Sequence, residues 1–83
     1  MMTEGKTMAD QDILAAVVTA AVAKYHFTTS IQSNLIVIRD SKGRVAGNVN
    51  TDGVIDRKYL GKQVLMGAIV RDAITAAIKA AQL

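Results

Sequence analysis

The sequence predicts a single α+β domain: a helix, a two- or three-stranded antiparallel meander, and a long C-terminal helix. Three observations predict it. One apolar segment with helical spacing lies near the start of the chain, and a second closes it. Between them, short β-branched runs alternate with turn signals built on Asp, Asn and Gly. The 83 residues fit one domain. Residues 1–7 read as a flexible arm and residues 8–83 as the domain.

The first helix is expected over about residues 9–25. Ile13, Leu14, Val17, Val18, Ala21, Val22 and Tyr25 recur at spacings of three and four and form one stripe. Asp10 and Asp12 sit in its first turn, where the positive end of the helix dipole favours them. His26 to Gln32 then changes character to a β-branched and aromatic run, which reads as a short edge strand. Ser33-Asn34 turns the chain into Leu35-Ile36-Val37-Ile38-Arg39, the best strand of the sequence. Asp40-Ser41-Lys42-Gly43 is a turn in which Gly43 is free to take a positive φ, and Val45 to Asn50 returns as the second strand of a hairpin. Asp52-Gly53 signals another hairpin, so Val54 to Tyr59 reads as a third strand, in competition with a helix starting at Asp56. The last helix is expected over about residues 62–81.

That last helix carries polar residues only in a sector of about 100°, at Arg71, Asp72, Thr75, Lys79 and Gln82. A helix lying on one sheet needs an apolar stripe of about that width, and this one offers roughly twice as much. A domain of this size buries only about 60–65% of the surface its unfolded chain exposes. Surplus apolar surface on so small a chain marks an interface. The expectation is a homodimer through the last helix, with Met66, Val70, Ala73, Ile74, Ala77, Ile78 and Ala81 in contact. The competing reading packs both helices on the sheet and leaves the alanines facing water.

Composition excludes several chemistries. There is no cysteine, so thiolate metal sites, iron–sulfur clusters and thiol nucleophiles are ruled out, and a reducing, cytoplasmic setting fits. The one histidine, His26, has no neighbouring acid and no serine arranged for attack, and reads as a capping or surface residue. Gly43, Gly47 and Gly53 are spaced as turn and strand glycines, not as a phosphate loop. The longest apolar run, Ile13 to Ala23, is about half of what a bilayer crossing needs, so no membrane is expected as a partner. No enzyme activity, cofactor or metal is expected.

Two local patterns resemble known modules. Asn48, Asn50, Asp52, Gly53 and Ile55 sit at the first, third, fifth, sixth and eighth positions of a loop that resembles part of an EF-hand or dockerin calcium site. Its twelfth position, where a bidentate acid belongs, is Tyr59, and the reading expected here is an ordinary turn. Arg57, Lys58 and Lys62 cluster where the last helix is expected to begin, with Arg39, Lys42 and Arg44 on the hairpin. Helix, three strands and helix, with lysines opening the second helix, is similar in topology to the double-stranded-RNA-binding domain. That resemblance implies phosphate contacts from the helix start. It covers the order of elements only, since the glycine-rich lead-in and Ser-Lys-Lys run of that family are absent.

The leading expectation is a non-enzymatic protein–protein interaction module, such as an adaptor, inhibitor or assembly component. Its partners would be a second copy of itself and another protein. The runner-up is a nucleic-acid-binding module using Arg44, Arg57, Lys58 and Lys62, which the modest net charge of +3 allows but does not require.

Overall fold

The computed structural model describes the backbone of residues 2–81 and the side chains of residues 11–81. Helix α1 (Met2–Ala23) leads into strands β1 (Thr28–Gln32), β2 (Leu35–Arg39), β3 (Val45–Asn50) and β4 (Ile55–Arg57). A small hairpin follows, β5 (Tyr59–Leu60) and β6 (Gln63–Val64), and then helix α2 (Ala68–Ala81). The first four strands form one antiparallel sheet in the order β1-β2-β3-β4, while β5 and β6 pair only with each other. The chain is therefore α+β, with a meander of four strands. Helix α1 takes in residues 2–7, which the sequence assigned to an arm; Met1 lies outside the described residues.

Two of the sheet's turns are copies of one device. Asp40 opens the β2–β3 turn: its Oδ1 accepts from the amides of Lys42 and Arg44, and its carbonyl accepts from the Gly43 amide. Asn50 opens the β3–β4 turn identically, with Oδ1 accepting from the amides of Asp52 and Val54 and its carbonyl from that of Gly53. Each turn closes through a glycine at φ near +80°, a conformation that costs glycine nothing and other residues about 1 kcal/mol or more. The Asx-x-x-Gly spacing is thus a complete hairpin instruction. The Ser33-Asn34 turn is tighter, pairing Gln32 with Leu35, and the Gln11 side chain donates to the Ser33 carbonyl across from α1.

Both helices cover one face of the sheet. Leu14, Val18 and Val22 of α1 stand one turn apart and are buried. They meet Ile36 and Ile38 of β2, Val49 of β3, Met66 from the segment before α2, and Val70 and Ile74 of α2. Ile36 pairs with Val49 and Ile38 with Gly47, so these positions share the inward face of the pleat. The outward face carries the rung Ser30, Val37, Asn48 and Asp56, in which Val37 is buried by its neighbours but stands outside the main cluster. A bulge between Ile38 and Arg39 admits Ala46 to the core as an extra residue.

Helix α1 ends in a Schellman motif. The His26 amide donates to the Ala23 carbonyl and the Phe27 amide to that of Val22, with His26 itself at φ 70°. Phe27 packs against the core cluster to which Val22 belongs, as the residue after such a cap commonly does. The single histidine is thereby accounted for as a helix terminator occupying a glycine-favouring position. His26→Gly is expected to raise stability by about 1 kcal/mol in urea unfolding, since it relieves the left-handed conformation. An unchanged or lower midpoint would contradict that role.

The C-terminal helix is shorter than the sequence predicts. It starts at Ala68, not near Lys62. Leu60 pairs with Gln63 around Gly61-Lys62, and Gly61 has φ +63°. Gly-X is the signature of a two-residue hairpin turn, and it stops the helix that the apolar run Val64-Leu65-Met66 would otherwise extend. The Gly67 carbonyl accepts from the Arg71 amide and starts the first turn.

Candidate interaction surfaces

The residues expected to form a dimer along α2 are divided by the fold. Met66, Val70 and Ile74 are buried in the core of their own subunit, against α1 and the sheet. Ala73, Ala77 and Ile78 are half-buried, and only Ala81 is exposed. This face of the helix is already covered, so a partner helix has no access to Met66, Val70 or Ile74. The outward side of α2 presents Ala68, Ile69, Asp72, Thr75, Ala76, Lys79 and Ala80, of which Ile69 is the one large apolar residue.

The basic residues fare differently. Lys62 does not open a helix; it sits in the tip of the β5–β6 hairpin. The phosphate-contacting position implied by the double-stranded-RNA-binding resemblance is therefore absent. The sheet register nevertheless gathers three of the four cations, Arg44, Arg57 and Lys58. Arg57 pairs with Gly47, the Lys58 amide donates to the Ala46 carbonyl, and Arg44 lies two residues before Ala46. The hairpin with Lys62 grows directly from Lys58, whose carbonyl accepts from the Leu65 amide. Arg39 and Lys42 flank the same end, since Arg39 pairs with Val45 at the mouth of the β2–β3 turn.

Two of these cations have close carboxylates. Arg44 Nε donates to Asp40 Oδ2 at 2.8 Å, and Lys58 Nζ to Asp56 Oδ2 at 3.1 Å. The Asp40 carboxyl is held below its ordinary value: burial acts to raise it, but is outweighed by hydrogen bonds from Arg44 and Lys42 and by the Arg44 charge. Lys42, Arg57 and Lys62 have no ion-pair partner among the described residues.

Three of the exposed large apolar side chains lie in the same stretch of chain: Tyr59 at 61%, Leu60 at 57% and Ile69 at 70% exposure. Nothing in composition singled these three out. Tyr59 read as an alternating strand residue, and Ile69 as part of the apolar mass of the helix.

The calcium-like loop is occupied by its own backbone. The side-chain oxygen of Asn50 takes two amides. Among the described residues no cluster of three or more His, Asp or Glu could hold a metal ion. Nor is any described helix long and apolar enough to cross a membrane.

The remaining feature is the free edge of β1. It pairs with β2 on one side and, among the described residues, with no strand on the other. Thr28, Ser30, Ile31 and Gln32 are exposed, and Thr29 shares a hydrogen bond with Thr19 of α1. In comparisons with known proteins, no family model, no curated protein and no solved structure matches this chain.

Proposed function

We propose that this chain is a non-enzymatic protein-interaction module that pairs with a second copy of itself through the β1 edge. The observation that carries this reading is the bareness of that edge. Natural sheets guard their edges with lysines, prolines, bulges or very short strands. β1 has none of these: Thr28-Thr29-Ser30-Ile31-Gln32 is five residues long, uncharged and in regular register with β2. The opposite edge is guarded, because β4 has only three residues, two of them Asp56 and Arg57.

A two-fold axis near Ser30 would set β1 antiparallel to its own copy and continue the sheet across the dimer. Such an interface is self-complementary, as a two-fold contact requires. It brings no like charges together, whereas the basic end of the sheet would repel its own copy. The surplus apolar circumference of α2 is not needed for this arrangement. In this proposal the module is cytoplasmic, a setting that a cysteine-free composition fits.

Light scattering tests the pairing. The wild type is expected at twice the 8.8 kDa chain mass. Ser30→Lys with Gln32→Lys, both exposed and on the outward face, should reduce it to the chain mass. A wild type that stays at the chain mass at high concentration overturns the pairing.

A further inference from the structure

We propose that the end of the sheet formed by the β2–β3 turn and the β5–β6 hairpin is a docking surface for an acidic, partly apolar segment of another protein. This goes beyond self-pairing through β1 and does not depend on it.

The fold sorts charge by position. Arg39, Lys42, Arg44, Arg57, Lys58 and Lys62 are six of the chain's ten basic residues; the register of β2, β3 and β4 collects the first five at one end, and Lys62 sits in the hairpin that follows Lys58 in sequence. Asp40 and Asp56 are the acids that accompany them, two of the chain's seven. Both lie on the basic side chains of neighbours within the turn or strand, and exposed Lys42 and Lys62, with no ion pair among the described residues, are left to face an outside partner. Charge of this kind steers an acidic partner in and rejects basic ones.

Charge alone would suit a phosphate backbone equally well. The apolar side chains decide between the two. Tyr59 and Leu60 stand exposed within the hairpin, between Lys58 and Lys62 in sequence, and Ile69 stands exposed as the second residue of the helix that follows. Phosphates offer nothing to Leu60 or Ile69. A protein segment that alternates acidic and apolar residues satisfies both sets. Apolar anchors ringed by polar and charged residues are the usual anatomy of a protein interface. A membrane surface is the less suitable occupant, because Gly61 and Lys62, not the apolar pair, form the tip of the hairpin.

The probe is a short synthetic peptide of alternating glutamate and leucine, titrated into the full chain at low salt and followed by amide shifts in NMR. Binding should perturb residues 42–44 of the β2–β3 turn together with residues 58–62 and 69, and should weaken as salt rises. Lys58→Glu with Lys62→Glu, and separately Tyr59→Ser with Leu60→Ser, should each reduce affinity by about tenfold or more. Polyglutamate, which lacks apolar groups, should bind more weakly than the alternating peptide. The Ser30→Lys, Gln32→Lys edge variant should bind it unchanged, which separates this surface from self-pairing. Absence of peptide binding at low salt would overturn the proposal. So would perturbations that map elsewhere on the wild type, a readout that needs no variant to fold. Tighter binding of duplex RNA or single-stranded DNA than of the peptide would likewise overturn it and reassign the surface to nucleic acid.

Discussion

Gly47→Ala is expected to lower the stability of the domain by about 2–3 kcal/mol, the upper part of the range for overpacking a closed site. Gly47 sits mid-strand in β3, on the inward face, opposite Ile38 on one side and Arg57 on the other. A Cβ there would lie 2.8 Å from the Asp56 carbonyl oxygen, 3.0 Å from Met66 Cε and 3.5 Å from Arg57 Cα. The Met66 methyl is the end of a flexible side chain and can give way. The Asp56 carbonyl belongs to the paired strand and cannot move without disturbing the β3–β4 ladder. A chain of 83 residues has a total stability of about 4–12 kcal/mol, so this one methyl group removes a large share. Urea unfolding checks it: a midpoint within error of the wild type would mean that β4 does not lie where it is described.

Ile74→Ala is the second large effect, with an expected loss of about 2–5 kcal/mol. Ile74 is fully buried between α1 and the sheet, and its removal leaves a cavity that neighbours from three elements cannot close. Ile69 lies on the same helix but faces water, and Ile69→Ala is expected to change stability by less than about 0.5 kcal/mol. The pair distinguishes the inner from the outer side of α2. If α2 instead lent its Val70 and Ile74 face to a partner helix, dissociation by dilution would destabilise the wild type as much as the Ile74→Ala substitution does.

Much of the fold was legible because its signals are local. Leu14, Val18 and Val22 at four-residue spacing mark the buried stripe of α1, and Leu35 to Arg39 marks a strand buried on both faces. Asp40 and Asn50, each three residues before a glycine, specify their turns through hydrogen bonds that close within five residues. The β5–β6 hairpin was not legible in the same way. Its strands are two residues each, too short to show alternation, and its one signal, Gly61, suits a strand-to-helix junction equally well. Losing residues 62–67 from the helix removed much of the apparent apolar surplus. Apart from Ile69, the rest of that surplus was alanine: Ala76, Ala80 and Ala81 face water, where alanine is a good helix residue.

The basic residues were identifiable one by one, but their gathering was not. Arg44 and Lys58 are far apart in sequence, and only the bulged register of β2 with β3 and the pairing of β3 with β4 bring them to one end. Tyr59, Leu60 and Ile69 could not be told from core residues, because exposure depends on which side of a short hairpin or helix meets the sheet. The uncharged edge of β1 was written in the sequence as Thr-Thr-Ser-Ile-Gln. Its meaning required knowing that no further strand covers it.

The most direct test concerns whether one subunit closes its own core while association is confined to the β1 edge. The measurement is the urea unfolding midpoint of the Ser30→Lys, Gln32→Lys variant over a wide range of protein concentration, with its mass read by light scattering. A folded monomer whose midpoint does not move with concentration is the result expected here, beside a wild type whose midpoint rises with concentration. A variant that unfolds once it is monomeric would contradict the account, because α2 would then need a second chain to bury Val70 and Ile74.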